Sequence, residues 1–174
     1  MDTLFENQYT HSKQYYKEFY SYFYFKKPLS VAALTFFSLL FVFSIVSFVF
    51  SFRFVSNGVA VIYIFMSALV WLIRLLQYRR AVNSRYKQEL EMGDGKPFEV
   101  ILIVTEDGID ACQVSTGNKN HIDFSKIKKT FHTKNYYILM TSAKLCCTFK
   151  KDGFVKGDLQ AFRSFLKAKG LKAK

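Results

Sequence analysis

The sequence predicts an α+β membrane protein: a two-helix transmembrane hairpin followed by a small curved antiparallel sheet capped by a C-terminal helix. Three observations carry this expectation. Leu29–Phe52 and Phe54–Ile73 are two uncharged apolar runs separated only by Arg53. From Phe98 onward the chain changes to short runs of Val, Ile, Tyr and Phe, punctuated by Gly, Asp and Asn. Behind Asp158 the apolar residues return to helical spacing. The expected organisation is an aromatic-basic N-terminal segment (1–27), the hairpin (28–73, with spans at about 29–52 and 55–73), a juxtamembrane helical stalk (74–95) and a soluble domain (96–174).

Taken in order, residues 12–27 read as an interfacial helix or the lead-in to the first span. Tyr15, Tyr16, Phe19, Tyr20, Tyr22, Phe23, Tyr24 and Phe25 crowd in ahead of Lys26 and Lys27. Rings with polar tips belong at headgroup level, and lysines there can snorkel to phosphates. Tyr22, Tyr24, Lys26 and Lys27 are therefore expected interface anchors, as are Arg74, Arg79 and Arg80 after the second span. Pro28 fits the first turn of a helix. At 1.5 Å per residue either apolar run can cross a hydrocarbon core of about 30 Å.

The turn between the runs is short, with Asn57-Gly58 as its turn signal; Arg53 to Gly58 is either the loop or the first turn of the second helix. Antiparallel neighbours follow, so both chain ends lie on one side. The flanks carry Lys13, Lys17, Lys26 and Lys27 before the hairpin, and Arg74, Arg79, Arg80, Arg85 and Lys87 after it, against Arg53 alone in the turn. The positive-inside rule then places both termini in the cytoplasm. A cleavable signal peptide is not expected, because the first apolar run is too long and starts too late.

Ser38, Ser44, Ser47 and Ser51 on the first helix, and Gly58, Ala60, Ser67 and Ala68 on the second, allow close helix approach. Packing within the hairpin is favoured over a dimer contact. The spans hold no Asp, Glu, Lys or His, which argues against a proton relay or ion path. Beyond Ile73 the helix is expected to run on as a stalk until Gly93-Asp94-Gly95 and Pro97 stop it.

Six strands are expected: 98–105, 109–114, 119–124, 127–133, 136–141 and 144–149. Turns fall at Glu106-Asp107-Gly108, Ser115–Asn118 and Asp152-Gly153. Asp158 caps a helix with an apolar stripe of Leu159, Phe162, Phe165 and Leu166, ended by Gly170.

These residues carry a family resemblance. The strand entering Val104-Thr105-Glu106-Asp107-Gly108-Ile109, the segment Ile122-Asp123-Phe124-Ser125-Lys126-Ile127, the hairpin around Asn135-Tyr136-Tyr137-Ile138-Leu139, and Phe149, Lys150, Lys151 and Phe154 ahead of the last helix form one pattern. In it, Val100–Leu171 resembles the C-terminal domain of the YcxB-like proteins, bacterial membrane proteins. Family members often have Trp where this chain has Phe124, and Pro-Lys at Lys150-Lys151. The resemblance implies a pleckstrin-homology-like (PH-like) fold and an inner-membrane location in a bacterium; it implies no reaction.

Charge narrows the partners. The chain is +12, and residues 96–174 hold 15 Lys/Arg against 7 Asp/Glu. Lys126, Lys128, Lys129 and Lys134 form one basic cluster, and Lys150, Lys151 and Lys156 another. Anionic lipid headgroups are one expected partner; a protein partner or self-association is the other. No nucleic-acid motif is present, and no small-molecule substrate or cofactor is inferred. Three cysteines without a framework fit a reducing compartment, with Cys112 and one of Cys146 and Cys147 read as core or sheet-face side chains.

No nucleophile, base and orienter share a spacing signature, and His121, Asp123 and Cys112 make a poor metal set. The expected function is a membrane-anchored, non-enzymatic scaffold or regulatory module acting through its basic domain. The alternative is a small membrane immunity or stress-response protein acting through the hairpin.

Overall fold

A computed structural model describes residues 2–50, 56–115, 117–143 and 145–171. Arg53, Ser51, Thr116 and Lys144 lie outside the described residues; of the expected turn between the spans, Asn57-Gly58 is not a turn but the start of a helix. The elements run β1 (Phe5–Thr10), α1 (Lys13–Ser21), α2 (Pro28–Phe50), α3 (Asn57–Met92), β2 (Glu99–Val104), β3 (Gly108–Gln113), β4 (Lys119–Asp123), β5 (Ile127–His132), β6 (Tyr136–Thr141), β7 (Cys146–Lys150), β8 (Phe154–Lys156) and α4 (Leu159–Ala168). They form two compact units. One is Phe19–Arg85; the other joins the residues up to Glu18 to those from Tyr86 onward.

In the Phe19–Arg85 unit, α2 and α3 are both long and apolar enough to cross a membrane. A turn of π-helix, Tyr22–Lys26, precedes them, and Lys27 leaves it in an extended conformation. That break is what a residue before proline prefers, and Pro28 then opens α2. The wider turn frees carbonyls, and Ser30 Oγ donates to one of them, Phe23 O, at 3.0 Å. Ser44, Ser47, Ala60 and Ser67 are buried, while Phe36, Leu39, Phe43, Phe65 and Leu72 face outward. Of the small residues expected between the helices, Gly58 and Ala68 are exposed instead.

The other unit is an antiparallel sandwich. A five-stranded sheet has the order β4-β3-β2-β1-β8, and a three-stranded sheet the order β5-β6-β7. Both are antiparallel throughout. A register shift between Ile127 and Lys129 bends β5. Asn7 joins the two sheets. Fully buried on β1, its side chain donates to Lys150 O (2.8 Å) and accepts from Lys150 N (3.0 Å) on β7. It thus replaces a stretch of ladder between strands of different sheets.

Asp158 caps α4 by accepting from Gln160 N (2.7 Å) and Ala161 N (2.9 Å). The helix lays Phe162 and Leu166, both fully buried, on rings from both sheets. Phe162 meets Phe149 at 4.5 Å, Phe5 at 5.5 Å, Phe154 at 5.6 Å and Tyr137 at 6.1 Å. Burial of such large rings dominates a small core.

Three expectations are corrected here. The domain does not start at residue 96: β1 lies inside the sheet between β2 and β8, and the last turns of α3 belong to this unit. Tyr15 and Tyr16 are not headgroup-level rings but are buried in the domain. The strand expected from Lys144 begins at Cys146, and β8 is an eighth strand that the sequence did not mark. The physical reason for the first is composition. β1 reads FENQYT, and its inward positions are Phe5, Asn7 and Tyr9, so a polar residue at the centre breaks the apolar alternation that would announce it.

Candidate functional site

The expected basic site divides once its lysines are placed. Lys126 Nζ lies 2.5 Å from Asp123 Oδ2, and Lys150 Nζ 3.3 Å from Asp152 Oδ1. Lys151 Nζ donates to Thr133 O (2.6 Å) and Lys134 O (2.9 Å), which commits it to the β5–β6 turn. Lys156 Nζ donates to Thr3 O. Lys128, Lys129 and Lys134 are exposed, the first two on edge strand β5 and the third in the turn after it. None of these three has an ion-pair partner among the described residues. A surface ion pair is worth little in stability, but it does neutralise a lysine toward an outside anion.

The turn that presents Lys134 is held from a second side. Glu18 on α1 accepts from Thr133 Oγ1 (2.8 Å), Asn135 N (3.0 Å) and Asn135 Nδ2 (2.5 Å). Partial burial alone would raise the Glu18 carboxyl; hydrogen bonds from the Asn135 backbone, Thr133, the Asn135 side chain and Gln14 outweigh it and hold the group below the ordinary range. Nothing in the sequence signals this clamp, because its partners lie more than a hundred positions apart.

A second cluster that the sequence did not mark surrounds His11. Its Nδ1 lies 3.1 Å from Glu89 Oε1, and Glu89 is 4 % exposed. Glu89 also accepts from Phe98 N at 3.1 Å, tying the end of α3 to the start of β2. His11 Nε2 faces the Tyr9 hydroxyl at 3.2 Å, and the Tyr15 ring stacks on the imidazole at 4.6 Å. Carboxylate, imidazole and hydroxyl thus stand in the order of a nucleophilic triad. The phenol is the wrong end for it: burial, with the neighbouring Tyr15, pushes Tyr9 well up. A group so shifted is a poor nucleophile at neutral pH.

His121 sits between two carboxylates, with Nδ1 2.6 Å from Asp110 Oδ1 and Nε2 3.4 Å from Asp123 Oδ1. Its ring crosses the space where a Cβ on Gly108 would stand, 2.7 Å away. The Asp110 hydrogen bond chiefly raises this imidazole. Both ring nitrogens face carboxylate oxygens, an arrangement that favours the protonated ring. Cys112 pairs across the sheet with Lys119, away from that histidine's partner. Among the described residues no group of three His, Cys, Asp or Glu could hold a metal. Cys147 is buried, and Cys112 and Cys146 are half-buried. Burial, and then Cys146, push the Cys147 thiol up to about 12, which makes it inert.

One open groove of about 540 Å³ lies along β1 and the β7–β8 turn, with Tyr9, Ser12, Glu99, Tyr136, Lys150 and Asp152 in its walls. Its charged groups already have partners: Glu99 accepts from the Gln8 amide Nε2 at 2.5 Å, and Lys150 pairs with Asp152.

The expected interface anchors fall in the other unit. Tyr22, Tyr24 and Lys26 are on the π-helical turn, Lys27 directly follows it, and Arg74, Arg79 and Arg80 are on α3. Tyr24 and Phe25 meet the Tyr78 ring at 6.3 and 5.4 Å.

No curated protein matches the chain. Residues 104–166 match the family model described as YcxB-like protein, so the stretch from the end of β2 to Leu166 of α4 carries a YcxB-like domain.

Proposed function

We propose that the chain is a membrane-anchored, non-enzymatic binding module whose basic domain contacts an anionic membrane surface. The observation that carries this reading is the division of the lysines. Lys128, Lys129 and Lys134 are exposed on one edge strand and its turn with no ion-pair partner among the described residues, and that turn is held by Glu18 and Lys151. Each such cation beside an anionic leaflet contributes roughly 1 kcal/mol of attraction.

The hairpin supports the anchored part. It buries serines and alanine and exposes large apolar side chains, an arrangement unfavourable in water and suited to lipid. The excess of flanking cations favours a multi-pass topology with both termini in the cytoplasm, and the YcxB-like stretch favours a bacterial inner membrane. Two antiparallel sheets closed by a C-terminal helix fit a PH-like domain. The non-enzymatic reading draws on the unactivated Tyr9 and on charged groups that are already paired.

The test is amine footprinting of the full chain in lipid nanodiscs. A lysine-reactive reagent should modify Lys128, Lys129 and Lys134 several-fold more slowly in anionic than in neutral discs, and high salt should erase the difference. Lys119 and Lys167, both exposed elsewhere, serve as references. Equal labelling of the three lysines in both lipids sinks the lipid reading and turns the search to a protein partner for the β5 edge.

A further inference from the structure

We infer a separate anionic-phospholipid site on the helical hairpin: a groove for one acyl chain, with Lys26, Lys27 and Arg74 at its mouth for the headgroup phosphate. The groove has about 360 Å³ and is walled by Phe25, Leu34, Ser38, Val42 and Trp71 among others. Its polar atoms are turned inward on each other. Ser38 Oγ donates to Leu34 O at 2.8 Å and accepts from Trp71 Nε1 at 3.3 Å. Apart from Thr35, what remains facing the groove is apolar.

Its length suits one lipid chain. The α2 wall runs from Val31 to Val42, or about 16 Å at 1.5 Å per residue. That is half of a hydrocarbon core of about 30 Å, the depth of one leaflet.

The cations lie at one end. Phe25 lines the groove, and Lys26 and Lys27 follow it where the π-helical turn breaks. On α3, Trp71, Arg74 and Tyr78 share a face at spacings of three and four residues. Trp71 lines the groove and the Tyr78 ring meets Phe25 at 5.4 Å, so Arg74 stands between their two levels on that face of α3. From Phe19 to Gln88 the sequence holds no Asp or Glu. These three cations therefore have no carboxylate in their own unit, and the complement they lack is an anion from outside it.

The charge sets the selectivity. An acyl chain in the groove gains little over one in bulk lipid, because both surroundings are apolar. A phosphate with net negative charge at the mouth gains from three basic side chains, so anionic lipid is preferred over zwitterionic lipid. The inference rests on the reading that the hairpin spans the bilayer.

Trp71 is the chain's only tryptophan and stands in the wall, which gives a native reporter. The full chain is reconstituted in phosphatidylcholine bilayers containing increasing fractions of phosphatidylglycerol or phosphatidylcholine with brominated acyl chains. Trp71 quenching should show a preference for the brominated phosphatidylglycerol of roughly five- to tenfold. Lys26→Gln/Lys27→Gln/Arg74→Gln should bring it to unity, and Lys128→Gln/Lys129→Gln should leave it intact. Equal quenching by both lipids in the unaltered chain means only ordinary lipid contact and overturns the site. A preference removed by the Lys128/Lys129 changes overturns it too, by assigning the effect to the domain. No quenching by either lipid overturns the bilayer-spanning reading itself, and the site falls with it.

Discussion

Replacing Asn7 by alanine tests how the two sheets are held together. The side chain is fully buried and makes two hydrogen bonds to one residue of the other sheet, Lys150 N and O. Each bond contributes about 0.5–1.5 kcal/mol net, and a backbone group left without a partner loses about 1–3 kcal/mol. The open groove beside Lys150 lets water reach the freed groups, which favours the lower part of that range. A destabilisation of about 2–4 kcal/mol follows, or roughly a 30- to 1,000-fold loss of hydrogen-exchange protection. Amide exchange of the full chain in detergent reads this directly. Protection should fall across β1 and β7 in Asn7→Ala while the α2 amides, in the other unit, keep theirs. Protection of β7 within about threefold of the parent would refute the bridging role, since neither bond could then be contributing its ordinary share.

Phe162→Ala should cost about 3–5 kcal/mol, because the ring fills the junction of Phe5, Tyr137, Phe149 and Phe154; near-ultraviolet circular dichroism under urea checks it. Glu18 is held low, so its grip on the β5–β6 turn is fully present above the ordinary carboxylate pKa and is lost as pH falls through its lowered value. Exchange at Asn135 N should therefore quicken at acid pH, beyond the intrinsic trend, and Glu18→Gln should remove that pH dependence. His121 is raised, so its pairing with Asp110 is present below the ordinary imidazole pKa and fades as pH rises through the raised one. Asp110→Asn should move the imidazole titration, followed by NMR, downward; an unmoved midpoint would mean the contact carries no charge coupling.

What could be read from the sequence was what repeats with a period or carries a turn. Two apolar runs, five of the six expected strands near their observed bounds, and the α4 stripe behind Asp158 all follow local rules that act within a few residues. Composition could suggest a basic surface, but not which lysines stay exposed without an ion pair. Lys126 and Lys150 each have an aspartate within three positions, but only the folded chain shows that they pair with it and that Lys151 and Lys156 turn to backbone carbonyls far along the sequence. The same holds for Glu18 with Asn135 and for His11 with Glu89, pairs 117 and 78 positions apart. β1 escaped for a different reason. Its buried residues are an asparagine that hydrogen-bonds to the other sheet and a tyrosine whose hydroxyl meets His11, so the alternation that marks a strand is interrupted.

That strand changes what counts as the domain. β1 pairs with β2 along six residues and with β8 on its other side, so a fragment of residues 96–174 lacks an internal strand of the five-stranded sheet. It also lacks Asn7, Glu18 and the Glu89–Phe98 contact. Such a fragment leaves β2 as an open edge beside Leu102 and Val104, which are buried in the intact chain, and it should aggregate or remain unfolded. The hairpin is then an insertion between β1 and β2, not an anchor ahead of a complete domain. The two ends of the insertion are close, since the Tyr16 and Tyr86 rings meet at 6.2 Å. Replacing residues 19–85 by about six Gly and Ser residues closes a short loop at little entropic penalty and removes the large apolar outer faces of α2 and α3. The product should be a soluble, folded domain with the dispersed tyrosine spectrum of a packed core, while residues 96–174 alone give none. If the short fragment folds and the joined one does not, β1 is dispensable and the domain ends where the sequence first placed its boundary.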